Sequence, residues 1–514
     1  MAVRYFAAIG IGSVQTEMKI YEWGGKKPMR EVECLSARMT LQLDVYKSGR
    51  ISREHIEELC TVLRDYVRLM QSYRVDAYKA CATSAFRESR NMSIMQDYIE
   101  KQTGLKIEVL SNSEQRFVDY KAIASVTAEF ETIIQNPAAI VDIGSSSMQI
   151  SLFDKDKLIT TQNIRIGSVT TREQLAPFVK SSGHFETLVS ELLDHELAGF
   201  GKLYQKDRQI KNLIVIGGNL RGLMTPYQEE SRRITAVTKE AFEKVYGLVV
   251  HLDQDEIARR YNISYDQSGP IVPSAVFCHC LMENLGAQTM WFPDYSLCDG
   301  LAYDYGVKNR YLKNSHDFEE DILAAARSIA KRYKCSQAHI RNLEEIALMV
   351  FDRMKKIHGM GKRERLLLQI SIILHNCGKF ISLENVSECA YYIIMATEII
   401  GLSHTEREMI AYTVKFNTSA FENYDDLAVR TALTRSEYMV VAKLTAILRI
   451  VNALDRTHQQ KCKNVTVTLK AHELRITAVS QADLSLEAGT FESKAPFFEE
   501  IFNVHPVFKQ RKQI

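Results

Sequence analysis

The sequence predicts an α/β protein built from two related α/β domains, followed by an all-helical domain and a small α+β tail. Three observations carry this. RYFAAIGIGSVQTEMKIYEW (4–23) and AAIVDIGSSSMQISLF (138–153) share one grammar of apolar strand, Gly/Ser turn and apolar strand, which reads as an internal duplication. From about 310 to about 460 long helical patterns dominate, with hardly a strand signal. The final stretch returns to alternation, in NVTVTLK (464–470) and ELRITAV (473–479).

The elements follow in order. Residues 4–22 alternate and predict two strands around a tight turn at Gly10-Ile11-Gly12-Ser13. Ile56, Leu59, Cys60, Leu63, Tyr66, Val67 and Met70 form one stripe at helical spacing, and Ser52 is placed to start that helix. AYKACATSAF (77–86) reads as a buried strand ending in a small-residue loop. A helix (91–102), a strand (Ile107–Leu110) and a helix from about 113 to 129 close the first unit. The second unit opens at 138, and NLIVIGGNLRGL (212–223) adds a further strand and Gly turn. A helix over APFFEEIFNV lies near the end.

Composition narrows the function classes. The chain has 514 residues, room for about three to five domains. Apolar residues at 46% and charged residues at 25% are ordinary for a globular protein and argue against disorder or a fibre. Lys+Arg 65 against Asp+Glu 63 leaves a net charge of +2, which disfavours a DNA- or RNA-binding coat. No run of 18 apolar residues spans a membrane, and no cleavable signal is read at the N-terminus. Ten scattered cysteines make no CxxC. Cys278-His279-Cys280 sits in a helical stretch, where neighbours two apart diverge and do not share a metal. Reduced thiols and no export signal predict a cytoplasmic protein.

Gly- and Ser-rich strand–turn–strand loops can turn backbone N–H groups into a concave nest for phosphate oxygens. Three such loops occur, at 10–15, 144–148 and 217–219, and predict a ligand cleft between the two related domains. An ordinary hairpin turn is the competing reading of each loop. The predicted contacts are Gly12, Ser13, Gly144, Ser145, Ser146, Gly218 and Asn219. Asp142, at a strand end, has the right chemistry for a hard cation, or alternatively for capping its turn. Arg87 offers a bidentate fork for phosphate, or alternatively an ion pair at the surface.

CATSAFRES (81–89), EVLSNSEQR (108–116), VDIGSSSMQISLF (141–153) and SLCDGLAYDYG (296–306) resemble, in order and spacing, the exopolyphosphatase / guanosine pentaphosphate phosphohydrolase family. AHIRNLEEIALMVFDRM (338–354), ILHNCGKFI (373–381) and ILRIVNALDRTH (447–458) resemble that family's HD-like third domain, and FESKAPFFEEIFNV (491–504) its fourth. The resemblance implies duplicated actin-like ATPase (ribonuclease H-like) domains at 1–124 and 125–309, an HD-like domain at 310–460 and a C-terminal domain at 461–514. It also implies Mg²⁺ as cofactor, polyphosphate or guanosine polyphosphate as ligand, and, loosely, a homodimer.

The departures from the family pattern are chemical. The catalytic glutamate of S-G-x-E-E-A-R is Gln115, and the terminal glutamate of D-I-G-G-G-S-T-E is Gln149. The acid of the first loop is Gly10, and the cation of S-L-R-E-G is Cys298. An amide cannot take a proton from water, so hydrolysis is expected to be reduced or lost while binding persists. Glu114 is adjacent to Gln115 but on a helix faces elsewhere, an imperfect substitute. In the HD-like domain His339 and His375 remain, but Asn376 and Asn452 replace the metal-binding acids, and Cys389 and Asn417 replace further histidines. A structural role is therefore expected there. The run Lys355, Lys356, His358, Lys362, Arg363 and Arg365 reads as a solvated face, or as the wall of a polyphosphate channel.

Overall fold

The computed structural model describes residues 3–24, 29–126, 130–182, 185–217, 220–227, 234–313 and 316–511. They form two compact units, 1–317 and 318–514.

The first unit contains two sheets. Strands β1 (Arg4–Ile11), β2 (Gln15–Trp23), β3 (Arg30–Arg38), β4 (Ala77–Ala82) and β5 (Ile107–Val109) lie in the order β3-β2-β1-β4-β5. Strands β6 (Ala138–Ile143), β7 (Met148–Asp154), β8 (Lys157–Ile164), β9 (Asn212–Gly217), β10 (Ile234–Thr238) and β11 (Thr289–Pro293) lie in the order β10-β11-β9-β6-β7-β8. Apart from the antiparallel edge strand β10, the second order repeats the first. In each sheet an antiparallel three-strand meander is followed by a parallel pairing of its first strand, β1 with β4 and β6 with β9. The duplication read in the sequence is a repeat of topology.

β1 is buried from Phe6 to Ile11 because both faces of its sheet are covered. Ala7, Ile9 and Ile11 face a core shared with Leu59 and Leu63 of the helix Arg53–Ser72 and Ile99 of the helix Met92–Thr103. Phe6 and Ala8 face a second core with Val118 of the helix Asn112–Val126 and Leu301 of the helix Leu297–Lys308. Phe6 stacks on Tyr305 with ring centroids 4.1 Å apart. The helix Leu297–Lys308 thus returns to the first sheet after the second is complete. This helix lies within the stretch 125–309 expected to form the second domain, and its apolar stripe packs in the first sheet's core.

The two hairpins close alike. Gly12 N–H donates to Gln15 O at 2.8 Å, and Gly144 N–H to Ser147 O at 2.9 Å. The first turn therefore lies at Gly12–Gln15, with Gly10 inside β1, two residues later than expected. A Cβ on Gly12 or Gly144 would stand 2.9 or 2.8 Å from the same carbonyl oxygen, so both turns require glycine. Gly144→Ala is expected to cost about 1–3 kcal/mol through this clash, measured as a lower urea midpoint at unchanged m-value.

The second unit is helical from Phe318 to Ala453, with no strand among the described residues of that stretch. Its end is a three-stranded sheet of β12 (Lys463–Lys470), β13 (Glu473–Val479) and β14 (His505–Arg511). β12 and β13 form an antiparallel hairpin. β13 and β14 are parallel, and the helix Ser485–Phe502 makes the crossover that parallel pairing demands.

Candidate functional site

The two duplicated turns line one cavity of about 440 Å³ in the first unit, to which Ser13, Val14, Gly144 and Ser145 all contribute. The carbonyls of both turns are held from outside. Ser13 O and Val14 O accept from Gln42 N and Met39 N, at 3.1 Å each. Gly144 O accepts from Ser168 N, and Ser145 O from Val169 N and Thr170 N, all at 3.0 Å. The N–H groups of Ser13, Val14, Ser145 and Ser146 have no acceptor among the described residues. Arg38 and Arg172 also line this cavity, and no carboxylate does. Free N–H donors and two guanidiniums in one concavity suit phosphate oxygens. Gly218 and Asn219, named for the third loop, lie outside the described residues.

Side chains bridge the two turns. Ser13 Oγ donates to Gln42 Oε1 at 3.0 Å and lies 2.7 Å from Ser84 Oγ. Gln42 Nε2 donates to Glu88 Oε2 at 3.2 Å, and Ser146 Oγ donates to Glu88 Oε1 at 3.4 Å. Arg87 is not among the residues that line the cavity. Its Nη1 donates to Leu110 O at 2.7 Å and to Gln115 Oε1 at 3.4 Å, so it positions Gln115. Glu114 is committed elsewhere: its Oε2 accepts from Ser111 N at 3.0 Å, while Ser111 Oγ accepts from Glu114 N at 3.2 Å. This is a reciprocal cap at the helix start, which occupies one carboxylate oxygen of Glu114.

The residues sequence reasoning missed are Arg116 and Asp119. Asp142, Gln149 and Asn163 stand directly opposite one another on β6, β7 and β8, one row across the second sheet. Arg116, with a side chain 6% exposed, lies over this row. Its Nε donates to Asp142 Oδ2 at 3.0 Å, Nη1 to Asn163 Oδ1 at 3.1 Å and Nη2 to Ser147 Oγ at 3.2 Å. Asp119, buried at 7% exposure, lies one helical turn beyond Gln115 and hydrogen-bonds to it. Burial, then the charge of Asp142, raises its pKa, against the opposing pull of Arg116 and Gln115. Asp119 lines a different cavity, of about 330 Å³, with Gly217 and Tyr295. The predicted residues therefore divide between two places: the turns line the phosphate-suited cavity, while Gln115, Asp142 and Gln149 gather around Arg116.

Asp142 does not fit Mg²⁺ in this arrangement. One oxygen is held by the guanidinium, which would repel a divalent cation, and Mg²⁺ asks for an octahedron of oxygen donors. No three His, Cys, Asp or Glu side chains among the described residues come together as a metal site. A Cβ on Gly10 would stand 3.6 Å from Cys298 Sγ. The positions where the resemblance puts an acid and a cation thus adjoin, and neither carries a charge in this chain.

In the second unit the HD-like residues form a closed polar network. His339 Nδ1 meets Asp455 Oδ2 at 2.8 Å, and its Nε2 faces His375 Nε2 at 3.2 Å. His375 Nδ1 donates to Ile372 O at 2.6 Å, which leaves Nε2 to accept from Asn376 Nδ2 at 2.8 Å. Asp455, not the position at Asn452, is the carboxylate that reaches the histidines. Burial, then the neighbouring His339, pushes the His375 imidazole down to about 3. The basic run is divided: Arg363 forks onto Glu406, Arg365 forks onto Asp352, and His358 is buried. It makes no continuous cationic wall.

With this geometry in hand, comparison with known proteins gives the class. The Ppx/GppA phosphatase family model matches residues 20–308, and that family's domain III model matches 323–493. The chain belongs to the Ppx/GppA phosphatase family. It is 20% identical over 505 residues to a guanosine-5'-triphosphate,3'-diphosphate pyrophosphatase of Photobacterium profundum, covering 94% of this chain and 95% of that one. It is 20% identical over 286 residues to exopolyphosphatase 1 of Mycobacterium leprae, covering 55% of this chain and 82% of that one. Among solved structures, an exopolyphosphatase from Cytophaga hutchinsonii aligns with a TM-score of 0.51 at 15% identity, covering 60% of this chain and 99% of that one. This last likeness speaks for the fold alone.

Two outcomes follow. Arg116→Ala leaves Asp142 partly buried without its counter-charge and is expected to cost about 3 kcal/mol, with Asp142→Asn in the same chain restoring part of the loss, read by chemical denaturation. His375 stays neutral in the native state while an unfolded imidazole titrates near ~6.5. Below that pH the unfolded chain binds the extra proton, so stability falls as pH drops from about 6.5 toward 3, by up to about 1.4 kcal/mol per pH unit. Denaturation midpoints at a series of pH values should show this slope, flattened by His375→Gln.

Proposed function

We propose that the first unit binds a chain of phosphates, polyphosphate or the 5'-triphosphate of a guanosine polyphosphate, in the cavity between the two duplicated turns. The observation that carries this is the pair of turns, whose residues Ser13, Val14 and Ser145 line one cavity with N–H groups that have no acceptor among the described residues, beside two arginines and no carboxylate. The relatives' names supply the ligand class. Ten free thiols suit a reducing cytoplasm, and no helix among the described residues is long and apolar enough to cross a membrane.

The family reaction is attack of water on a terminal phosphoryl group. A new P–O bond forms to the water oxygen, the bond to the bridging oxygen breaks, and a base takes the water proton. Gln115 and Gln149 cannot serve as that base, Glu114 is used as a cap, and burial disfavours the ionised form of Asp119 that a base requires. Turnover is therefore slow or absent, and binding is the larger part of the function. That outcome is what a phosphate-chain sensor or scaffold needs, and Arg116 on Asp142 favours it further.

The test is phosphate release from long-chain polyphosphate and from pppGpp with Mg²⁺, run beside equilibrium binding. Binding is expected with release ~10²–10⁴-fold below a glutamate-bearing relative. Arg172→Ala should weaken binding about tenfold or more. Gln115→Glu with Gln149→Glu should raise turnover. Vigorous hydrolysis by the unaltered chain would overturn the slow-turnover reading, and absence of binding would overturn the ligand.

A further inference from the structure

A further concentration of positive charge, this one without acid partners among the described residues, lies in the other unit. A cavity of about 240 Å³ is lined by Arg449, Arg456 and Lys494 together with Asn417 and Asn452, and by no carboxylate. At ~30 Å³ per water this is room for about eight waters, or for a phosphate group or two with some of them. Its walls come from three places in the chain. Asn417 follows the helix His404–Lys415, Arg449 and Asn452 lie on the helix Arg435–Ala453 with Arg456 just beyond it, and Lys494 lies on the helix Ser485–Phe502.

The charges there are not spent on one another or on acids. Arg449 is fixed by two backbone carbonyls, Phe416 O at 2.8 Å and Ser419 O at 2.7 Å, and lies 4.4 Å over the Phe497 ring. It is oriented but not neutralised. Arg456 and Lys494 have no ion pair or hydrogen bond among the described residues. Burial, then the repulsion of Arg449 and Arg456, lowers the Lys494 pKa. Three cations converging in a partly dry pocket repel one another, and an anion reverses the sign of that interaction.

A second observation points the same way. Asn417 is 4% exposed and lines the cavity, yet its Oδ1 is buried with no hydrogen-bond partner. A buried acceptor left open costs free energy until a donor arrives. The hydroxyl of a hydrogenphosphate supplies one, while its anionic oxygens take the guanidinium and ammonium N–H groups. A metal ion finds no charged donor in this set.

We infer that the second unit carries its own anion site, formed by Arg449, Arg456, Lys494 and Asn417, that takes the phosphate group of a small inorganic phosphate or diphosphate. The site is independent of the cavity between the duplicated turns.

The test uses the full chain and hydrogen–deuterium exchange with inorganic phosphate, pyrophosphate and GTP as separate probes. Phosphate or pyrophosphate is expected to protect peptides covering 415–420, 447–457 and 488–496. Arg456→Gln and Lys494→Gln, which touch no hydrogen bond of the fold, should each weaken that protection's midpoint about tenfold or more. Both should leave protection around Ser13 and Ser145 unchanged. In anion-free buffer Lys494→Gln should unfold at the same or higher temperature, because it removes repulsion, which separates loss of the site from loss of the fold. No protection of the three segments by either inorganic anion overturns the proposal, as does protection that survives both substitutions. Protection by GTP alone also overturns it, because the site would then be read by the nucleoside.

Discussion

Arg116 holds the central region of the first unit in place. Its guanidinium donates to a strand, a turn and a second strand of one sheet, from a helix whose apolar side is buried with the other sheet. A planar fork of donors can satisfy acceptors on three sides at fixed angles, which an ammonium cannot. The desolvation of this charge is offset only while Asp142 and its neighbours stay where they are. The positions of Gln115 and Asp119, on the same helix, follow from that anchoring.

The same fork changes what the site can be. Where an acid beside phosphate loops invites a divalent cation, a fixed protein cation already meets the acid. Relative to the pattern the sequence resembles, amides stand at 115 and 149 and uncharged residues at Gly10 and Cys298. None of these four positions supplies the backbone donors of the two turns. Those donors depend on Gly12 and Gly144 and on the carbonyl tethers behind each turn, which are backbone features indifferent to the lost carboxylates. The atoms proposed for binding and those proposed for turnover are thus different atoms.

The duplication was legible because strand, Gly turn and strand is a local pattern, written within about twenty residues on each occasion. The helical stretch and the alternating end were legible for the same reason. The return of the helix Leu297–Lys308 to the first sheet was not, since its apolar stripe does not say which core it completes. Arg116 and Asp119 were missed because their partners Asp142, Ser147 and Asn163 are distant in sequence. The available signal was spacing: Gln115 and Asp119 at i and i+4, and Arg116 and Asp119 at i and i+3, share a helix face. The neutralisation of the basic run's arginines was not legible for the converse reason, because Glu406 and Asp352 lie outside the run. Asn452 was matched to a lost acid, while Asp455, one turn on, keeps the contact with His339.

The clamp at Arg116 also sets how the first unit answers salt. Arg116 and Asp142 have side chains 6% and 19% exposed, so dissolved ions reach this pair little. Pairs at the surface, such as Arg68 with Asp65 at 76% and 61% exposure, are screened instead. Raising the ionic strength therefore weakens the surface pairs of the unit well before it weakens the pair at its centre.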